Sequence, residues 1–262
     1  MSTKVALITG ASCGIGAALA AELVSRGLTV YGLSRRGTAP EGVRPMAVDV
    51  TEAEAVRKAV GAILCEAGQI DLAVLAAGCG IAGALEHIPE AAAAMQVSVN
   101  LLGVDNCLRA LTPPLRETQG RILAIGSVAG VFPIPFQAHY SATKAAVESL
   151  LRAYGNEVRP FGISVGVAML GDTCTGFTAA RRTYGAEDGV YGGRVTESVA
   201  RMARDEENGA SPEGVARVLS RRLLGRRLPR RFTVGAGYRL LVLLDRLLPV
   251  GLVDRILSLL YG

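Results

Sequence analysis

Tyr140 and Lys144 stand four residues apart in His139-Tyr140-Ser141-Ala142-Thr143-Lys144. Four residues is close to one helical turn, so both side chains lie on the same helix face. An ammonium beside a phenol favours the phenolate, and the pair predicts a tyrosine pKa below its usual value of about 10. A phenol tuned in that way passes a proton to or from a substrate oxygen. The chain has 7 tyrosines, and lysine stands only at positions 4, 58 and 144. At those frequencies chance supplies roughly 0.08 Tyr-x-x-x-Lys pairs, so coincidence is a poor account once a companion motif is found.

The companion is Thr9-Gly10-Ala11-Ser12-Cys13-Gly14-Ile15-Gly16, which joins a short apolar run (5–9) to a helix-forming stretch (14–26). Glycines there let the backbone approach a pyrophosphate, and a helix N-terminus adds amide donors and a favourable dipole. The spacing is G-x-x-x-G-x-G and not G-x-G-x-x-G. A second apolar run (29–34) ends in Ser34-Arg35-Arg36 with no acid. A carboxylate at that point would hold the ribose 2′-hydroxyl of NAD, whereas a planar guanidinium suits a 2′-phosphate. The expected cofactor is therefore NADP(H) in preference to NAD(H), with Arg35 on the phosphate and Arg36 either assisting or simply solvated.

These two motifs need a scaffold, and the hydrophobic pattern provides one. Further short apolar runs fall at 45–50, 72–77, 121–126, 163–168 and 232–234. Between them the pattern predicts helices: from a Thr51/Glu54 capping box to Ala67, a long one over 90–112 stopped by Pro113-Pro114, and one over 140–158. Ser211-Pro212-Glu213 starts another, with proline at its first position. The expected fold class is α/β, a single Rossmann-like domain over 1–262. Its parallel sheet of about seven strands is doubly wound, with helices on both faces. Residues 171–210 lose periodicity and are expected to form a substrate lid.

Bulk composition narrows the class. The 262 residues are 50% hydrophobic with 32 glycines, which suits buried parallel strands and excludes disorder. Net charge is +5, and arginines crowd residues 217–231. That cluster is either a solvated helix face and turn or a contact for an anionic membrane surface or acidic ligand. No aromatic residue interleaves with it, so nucleic acid is not an expected partner. The 5 cysteines are scattered without a CxxC pair, so neither a disulfide framework nor a metal site is expected, and reduced thiols in the cytoplasm are. Met1-Ser2-Thr3-Lys4 runs straight into the first strand, an expected start without a signal peptide. The apolar C-terminal segment 236–262 is interrupted by Arg239, Asp245, Arg246, Pro249, Asp254 and Arg255, so it does not read as a transmembrane span. Three fates stay open for it: a helical lid on the substrate cleft, a subunit contact, or a peripheral contact with a membrane.

The Thr-Gly-x-x-x-Gly-x-Gly turn, the Tyr-x-x-x-Lys helix, Ser127 after the fifth strand and Asn100 in the preceding helix resemble the short-chain dehydrogenase/reductase family. The resemblance covers residues 4 to about 176. Residues 77–86 and Pro133-Ile134-Pro135-Phe136 look most similar to hydroxysteroid members of the 17β type. The resemblance implies an oxidoreductase that interconverts a ketone and a secondary alcohol. It implies catalytic roles for Asn100 (a proton-relay water), Ser127 (the substrate oxygen), Tyr140 (proton donor) and Lys144 (tyrosine pKa and nicotinamide ribose). It implies cofactor contacts from Thr9, Gly10, Ser12, Cys13, Gly14, Ile15, Gly16, Ser34, Arg35, Arg36, Asp49, Val50, Ala77, Gly78, Gly171 and Thr173, besides Tyr140 and Lys144. Substrate contacts are expected from Ser127, Val128, Phe132, Phe136, Tyr140 and Phe177, walls that suit a hydroxysteroid, bile acid or similar lipid. His87, Gln137 and His139 are candidate polar handles. A homodimer or homotetramer through the helices near 90–112 and 140–158 is implied as well. Two departures stand out: Leu75-Ala76-Ala77-Gly78 where the family has Asn-Asn-Ala-Gly, and Leu170-Gly171 where it has Pro-Gly. The rival reading is a regulator that binds NADP(H) without turnover, against which the intact Ser127, Tyr140 and Lys144 argue.

Overall fold

Alternate residues of the first strand, β1 (Val5–Thr9), face different layers. Val5 and Leu7 join one buried cluster, while Ala6 and Ile8 join the other. A strand whose both faces are apolar belongs in the middle of a sheet covered on two sides. The structure is a computed structural model that describes residues 3–187 and 189–262. Met1 and Ser2 of the expected start, and Asp188 of the expected lid, lie outside the described residues.

The remaining elements are α1 (Gly14–Ser25), β2 (Thr29–Ser34), β3 (Arg44–Ala47), α2 (Ala53–Ala67), β4 (Leu72–Leu75), β5 (Ile81–Gly83), α3 (Glu90–Val97), α4 (Gly103–Thr118), β6 (Arg121–Ser127), α5 (Ala138–Glu157), β7 (Ser164–Leu170), α6 (Phe177–Ala180), β8 (Arg182–Tyr184), α7 (Arg194–Glu207), α8 (Pro212–Leu224), β9 (Arg231–Thr233), α9 (Ala236–Asp245) and α10 (Val250–Tyr261). Seven strands form one parallel sheet in the order β3-β2-β1-β4-β6-β7-β9. Helices α1 and α8 contribute Leu19, Leu23, Leu219 and Leu223 to the cluster on one face. Helices α2, α4 and α5 contribute Ile63, Leu111 and Leu151 to the cluster on the other. Strand order reverses between β1 and β4, which opens a crevice at their carboxyl ends. Every candidate site motif leaves the sheet at that edge.

Three features differ from the sequence pattern. Asp49 Oδ1 accepts from both the amide (2.9 Å) and the hydroxyl (2.8 Å) of Thr51, so the expected Thr51/Glu54 capping box does not form. Glu54 pairs with Arg57 at 2.6 Å instead. The expected 90–112 helix is three pieces: α3, a π-helical turn over Ser98–Leu102, and α4, which runs through Pro113 and Pro114 to Thr118. An interior proline costs about 3 kcal/mol. Burial of Leu111, Pro114 and Leu115 on one face of α4 offsets this at about 1.5–3 kcal/mol per large side chain. Finally, β5 and β8 pair in a separate two-stranded parallel sheet, Ile81 opposite Arg182 and Gly83 opposite Tyr184. This sheet ties the 171–210 segment to the loop that follows β4.

Candidate active site

The glycine turn is built for close backbone approach. Gly10 has φ +70°, and a Cβ there would lie 2.9 Å from the Ala76 carbonyl oxygen and the Ala77 nitrogen. A Cβ at Gly16 would come within 2.3 Å of the Gly10 carbonyl oxygen. Helix α1 has Cys13 as its N-cap, with no side-chain cap and no acid in its first turn. Its leading amides are thus left to an anionic ligand. Ile15 is half-buried and packs on the cluster between α1 and the sheet. Thr9 Oγ1 accepts from the amides of Ala76 (3.0 Å) and Ala77 (3.1 Å), so the turn that lacks the family asparagine is held through its own backbone.

Ser34 is buried, and its hydroxyl donates to the Thr38 carbonyl at 3.0 Å. Its side chain shapes the turn that presents Arg35 and Arg36, both exposed. Arg36 Nη2 lies 3.4 Å from Ser12 Oγ, beside the start of α1. Arg35 is close enough to the crevice for its charge to act on the Cys79 thiol. Asp49 is occupied with Thr51, and buried Val50 packs where a Cβ at Gly103 would meet its side chain at 2.7 Å. The cradle therefore fits a phosphate-bearing dinucleotide: tight glycines, an uncapped helix start, two arginines and no acid at the end of β2.

Four side chains converge beside this cradle. Asn100 sits in the π-helical turn and is fully engaged. Its Oδ1 accepts from the Cys79 amide at 2.9 Å, and its Nδ2 donates to the Cys79 carbonyl (3.0 Å) and Thr143 Oγ1 (3.2 Å). It thereby ties the loop after β4 to α5. Gly78 lies beneath, where a Cβ would face Asn100 Oδ1 at 3.4 Å and Lys144 Nζ at 3.9 Å. Lys144 donates from Nζ to the Ile125 carbonyl at 3.0 Å, and its Nζ stands 5.6 Å from the centre of the Tyr140 ring. Ser127 caps the short turn after β6, accepting from the Ala129 amide at 3.1 Å, and its hydroxyl is near enough to the Tyr140 phenol to oppose a rise in that phenol's pKa.

The electrostatics reverse one expectation. Burial pushes the Tyr140 phenol up to about 12; the Ser127 hydrogen bond opposes the shift, Glu206 adds to it and Arg181 opposes it. Burial likewise pushes Lys144 down to about 8. Desolvation outweighs the attraction read from the i,i+4 spacing, because Lys144 is buried and Tyr140 is half-buried against Phe177.

The wall above is contributed by the 171–210 segment. Phe177 on α6 lies 5.6 Å, centre to centre, from the Tyr140 ring, and its ring fills the space where Gly80 lacks a Cβ. Phe136 adopts φ +60°, a left-handed conformation costly for a bulky residue, and lies 6.0 Å from the Tyr191 ring. Phe132 and Val128 line the turn after Ser127, the Phe132 amide donating to the Val128 carbonyl at 2.9 Å. Gln137 is buried, His139 is half-buried, and His87 meets Tyr191 edge-on at 5.6 Å.

Beyond β7, Thr173 turns its hydroxyl back to the Gly171 carbonyl at 3.1 Å, whereas Thr175 lies over Gly14. Gly171 itself is required by Tyr238, since a Cβ would overlap that ring at 2.1 Å. A surface groove of about 660 Å³ between α1 and α8 borders Gly14 and Thr175 and is lined by none of the four catalytic candidates.

Sequence reasoning missed Thr143, Tyr238 and an ion pair. Arg181, with a side chain only 2% exposed, pairs with Glu206, which also accepts from Thr178 Oγ1 at 2.6 Å. Arg181 Nε and Nη1 have no hydrogen-bond partner among the described residues. No local spacing joins positions 181 and 206, so nothing in the sequence pattern could have revealed the pair.

Comparison with known proteins settles the family. The short chain dehydrogenase family profile matches residues 4–184. The chain belongs to that family. This short-chain dehydrogenase is 39% identical over 241 residues to the 3-ketodihydrosphingosine reductase of Bacteroides thetaiotaomicron, covering 90% of this chain and 89% of the relative. It is 33% identical over 195 residues to human 17-beta-hydroxysteroid dehydrogenase type 1, covering 68% of this chain and 59% of that one. Its fold overlays a short-chain dehydrogenase from Streptomyces avermitilis with a TM-score of 0.84 at 30% identity, covering 94% of this chain and 92% of the other. It is an oxidoreductase of the family that works on CH–OH and keto groups.

Proposed function

We propose that this short-chain dehydrogenase uses NADP(H) to interconvert a ketone and a secondary alcohol on a bulky apolar substrate, first among them a long-chain keto-lipid, with a hydroxysteroid or bile acid as the second class. The observation that carries this is the convergence of Ser127, Tyr140 and Lys144 on one floor beside the glycine turn. Ser127 accepts from the Ala129 amide, and its own proton, which acts on the Tyr140 oxygen when no substrate is bound, would turn to the substrate oxygen. Tyr140, protonated at neutral pH, delivers its proton to that oxygen as the ketone is reduced. Lys144 supplies a second cation to the floor and is held by the Ile125 carbonyl. Asn100 fixes the loop and helix that carry these groups. NADPH, held by Gly10 to Gly16, Arg35, Arg36 and the Ala77-Gly78 turn, would supply the hydride.

The apolar wall of Phe132, Phe136 and Phe177 supports a lipid or steroid over a sugar. The buried Arg181–Glu206 pair adds polar groups whose charges reach Tyr140, which suits a substrate with a polar substituent near its ketone. The resemblance over most of the chain to a reductase of a keto-lipid points the same way. Rates with NADPH on a panel of long-chain keto-lipids, keto-steroids and sugar ketones test the proposal. Turnover of the lipid or steroid ketones is expected, and activity confined to sugars overturns it.

Cofactor choice rests on Arg35. Exchange for aspartate, Arg35→Asp, is expected to raise the KM for NADPH roughly 10- to 100-fold, the worth of a charge-assisted phosphate contact, while NADH use improves. An unchanged NADPH/NADH ratio of kcat/KM would assign the preference elsewhere. A homodimer or homotetramer is part of the same reading: α5 exposes Ala138, Ala142, Ala145 and Ser149 along one side, a flat surface that suits helix packing between subunits. So is a reducing, cytoplasmic setting for its free thiols.

A further inference from the structure

The last two helices carry apolar side chains on both faces. In α9, Tyr238, Val242 and Asp245 turn toward the protein, and in α10, Val253, Leu257 and Tyr261 do so. Tyr238 donates to the Asp172 carboxylate, and Tyr261 donates to Asp205 at 2.9 Å, which moors both helices to the 171–210 segment. Their outward faces should then be polar, yet they carry leucine. Of the 14 large hydrophobics exposed among the described residues, ten lie between Leu240 and Leu260, with Leu247 at 72%, Val250 at 76% and Leu259 at 77% exposure. Monomeric soluble proteins rarely leave a contiguous apolar surface of this kind without use.

Charge identifies the occupant. Residues 217–262 hold ten arginines against two aspartates, so this tail carries +8 while the whole chain carries +5. The arginines run from α8 through the turn before β9 (Arg226, Arg227, Arg230) and recur at Arg239, Arg246 and Arg255 beside the leucines. A second copy docked through the same face would bring like charges together, whereas an anionic lipid surface supplies the opposite sign. Among the described residues no helix is long and apolar enough to cross a membrane. Helices of 10 and 12 residues, separated by Pro249, instead have the length and composition of elements that lie in the headgroup layer.

We propose that α9 and α10 form a peripheral anchor that seats the protein on an anionic lipid surface, leucines inserted and arginines at the phosphates. The proposal stands on this surface and not on the identity of the ketone. Co-sedimentation of the full chain with phosphatidylcholine vesicles, with and without phosphatidylglycerol, tests it. Binding to the mixed vesicles is expected, weaker binding to pure phosphatidylcholine, and a decline with added salt. The variant Leu240→Glu/Leu244→Glu/Leu247→Glu changes only exposed positions, and its melting curve checks that it folds. It is expected to bind at least about tenfold more weakly. Arg226→Glu/Arg227→Glu is expected to lose a similar factor on anionic vesicles alone. Equal pelleting of the wild type and the leucine variant, or none by either, overturns the anchor. So does a dimer, seen by light scattering of the full chain, that the leucine variant breaks up while vesicle binding is absent.

Discussion

Exchange of Tyr140 for phenylalanine is expected to lower kcat for NADPH-dependent ketone reduction about 10³-fold, the usual contribution of a positioned general acid. NADPH affinity, read by quenching or shift of its fluorescence, should stay nearly unchanged. The ring of residue 140 packs on Phe177 and keeps doing so without its hydroxyl, so the loss falls on the chemical step. A protein that only sensed NADP(H) would show no difference between the two chains, and equal activity would therefore sink the catalytic reading. The pH dependence adds a second readout. The Tyr140 phenol is pushed up to about 12, so the proton donor is present throughout the neutral range. Ketone reduction is then expected to be level at and below neutrality and to decline only as Lys144 loses its proton around 8. Alcohol oxidation needs the phenolate and should rise with pH across the same range. A reduction rate that climbs with pH would contradict this assignment.

The parts of this molecule legible from its sequence are those whose physics is local. The short apolar run of Val5–Thr9, the three glycines of the first turn and the four-residue step from Tyr140 to Lys144 each act within one element, and the structure places each as read. What escaped depends on partners and packing that no single motif shows. Pro113 and Pro114 end most helices, yet α4 continues because its buried leucines face the sheet. Thr51 looked like a cap until Asp49, two residues earlier, took its amide and hydroxyl. Strands β5 and β8 are three residues each and a hundred apart, too short for a period to show. The sign of the Tyr140 shift was misread for the same reason: spacing reveals a neighbouring charge but not the loss of water that accompanies the fold.

That loss of water makes Lys144 a place where function and stability pull apart. Burial pushes its pKa from 10.5 down to about 8, so the folded protein disfavours the ammonium that the unfolded chain keeps. Below pH 8 both states carry the proton and the folded state bears the full penalty, about 3 kcal/mol by linkage. Between about 8 and 10.5 the folded lysine is neutral while the unfolded one is still charged, so stability rises with pH through that window. Lys144→Met removes the penalty and sacrifices one hydrogen bond to Ile125, worth about 1 kcal/mol. The variant is therefore expected to be more stable than the wild type by about 1–2 kcal/mol at pH 7, several degrees in Tm, while losing most of its activity. Thermal melts of both proteins without cofactor at pH 7 and pH 10 check it. The gap should narrow at the higher pH, where the wild-type lysine has shed its proton. A variant less stable at pH 7, or a gap indifferent to pH, would mean that the ammonium is well solvated in the fold, and the buried floor on which Tyr140 acts would have to be redrawn.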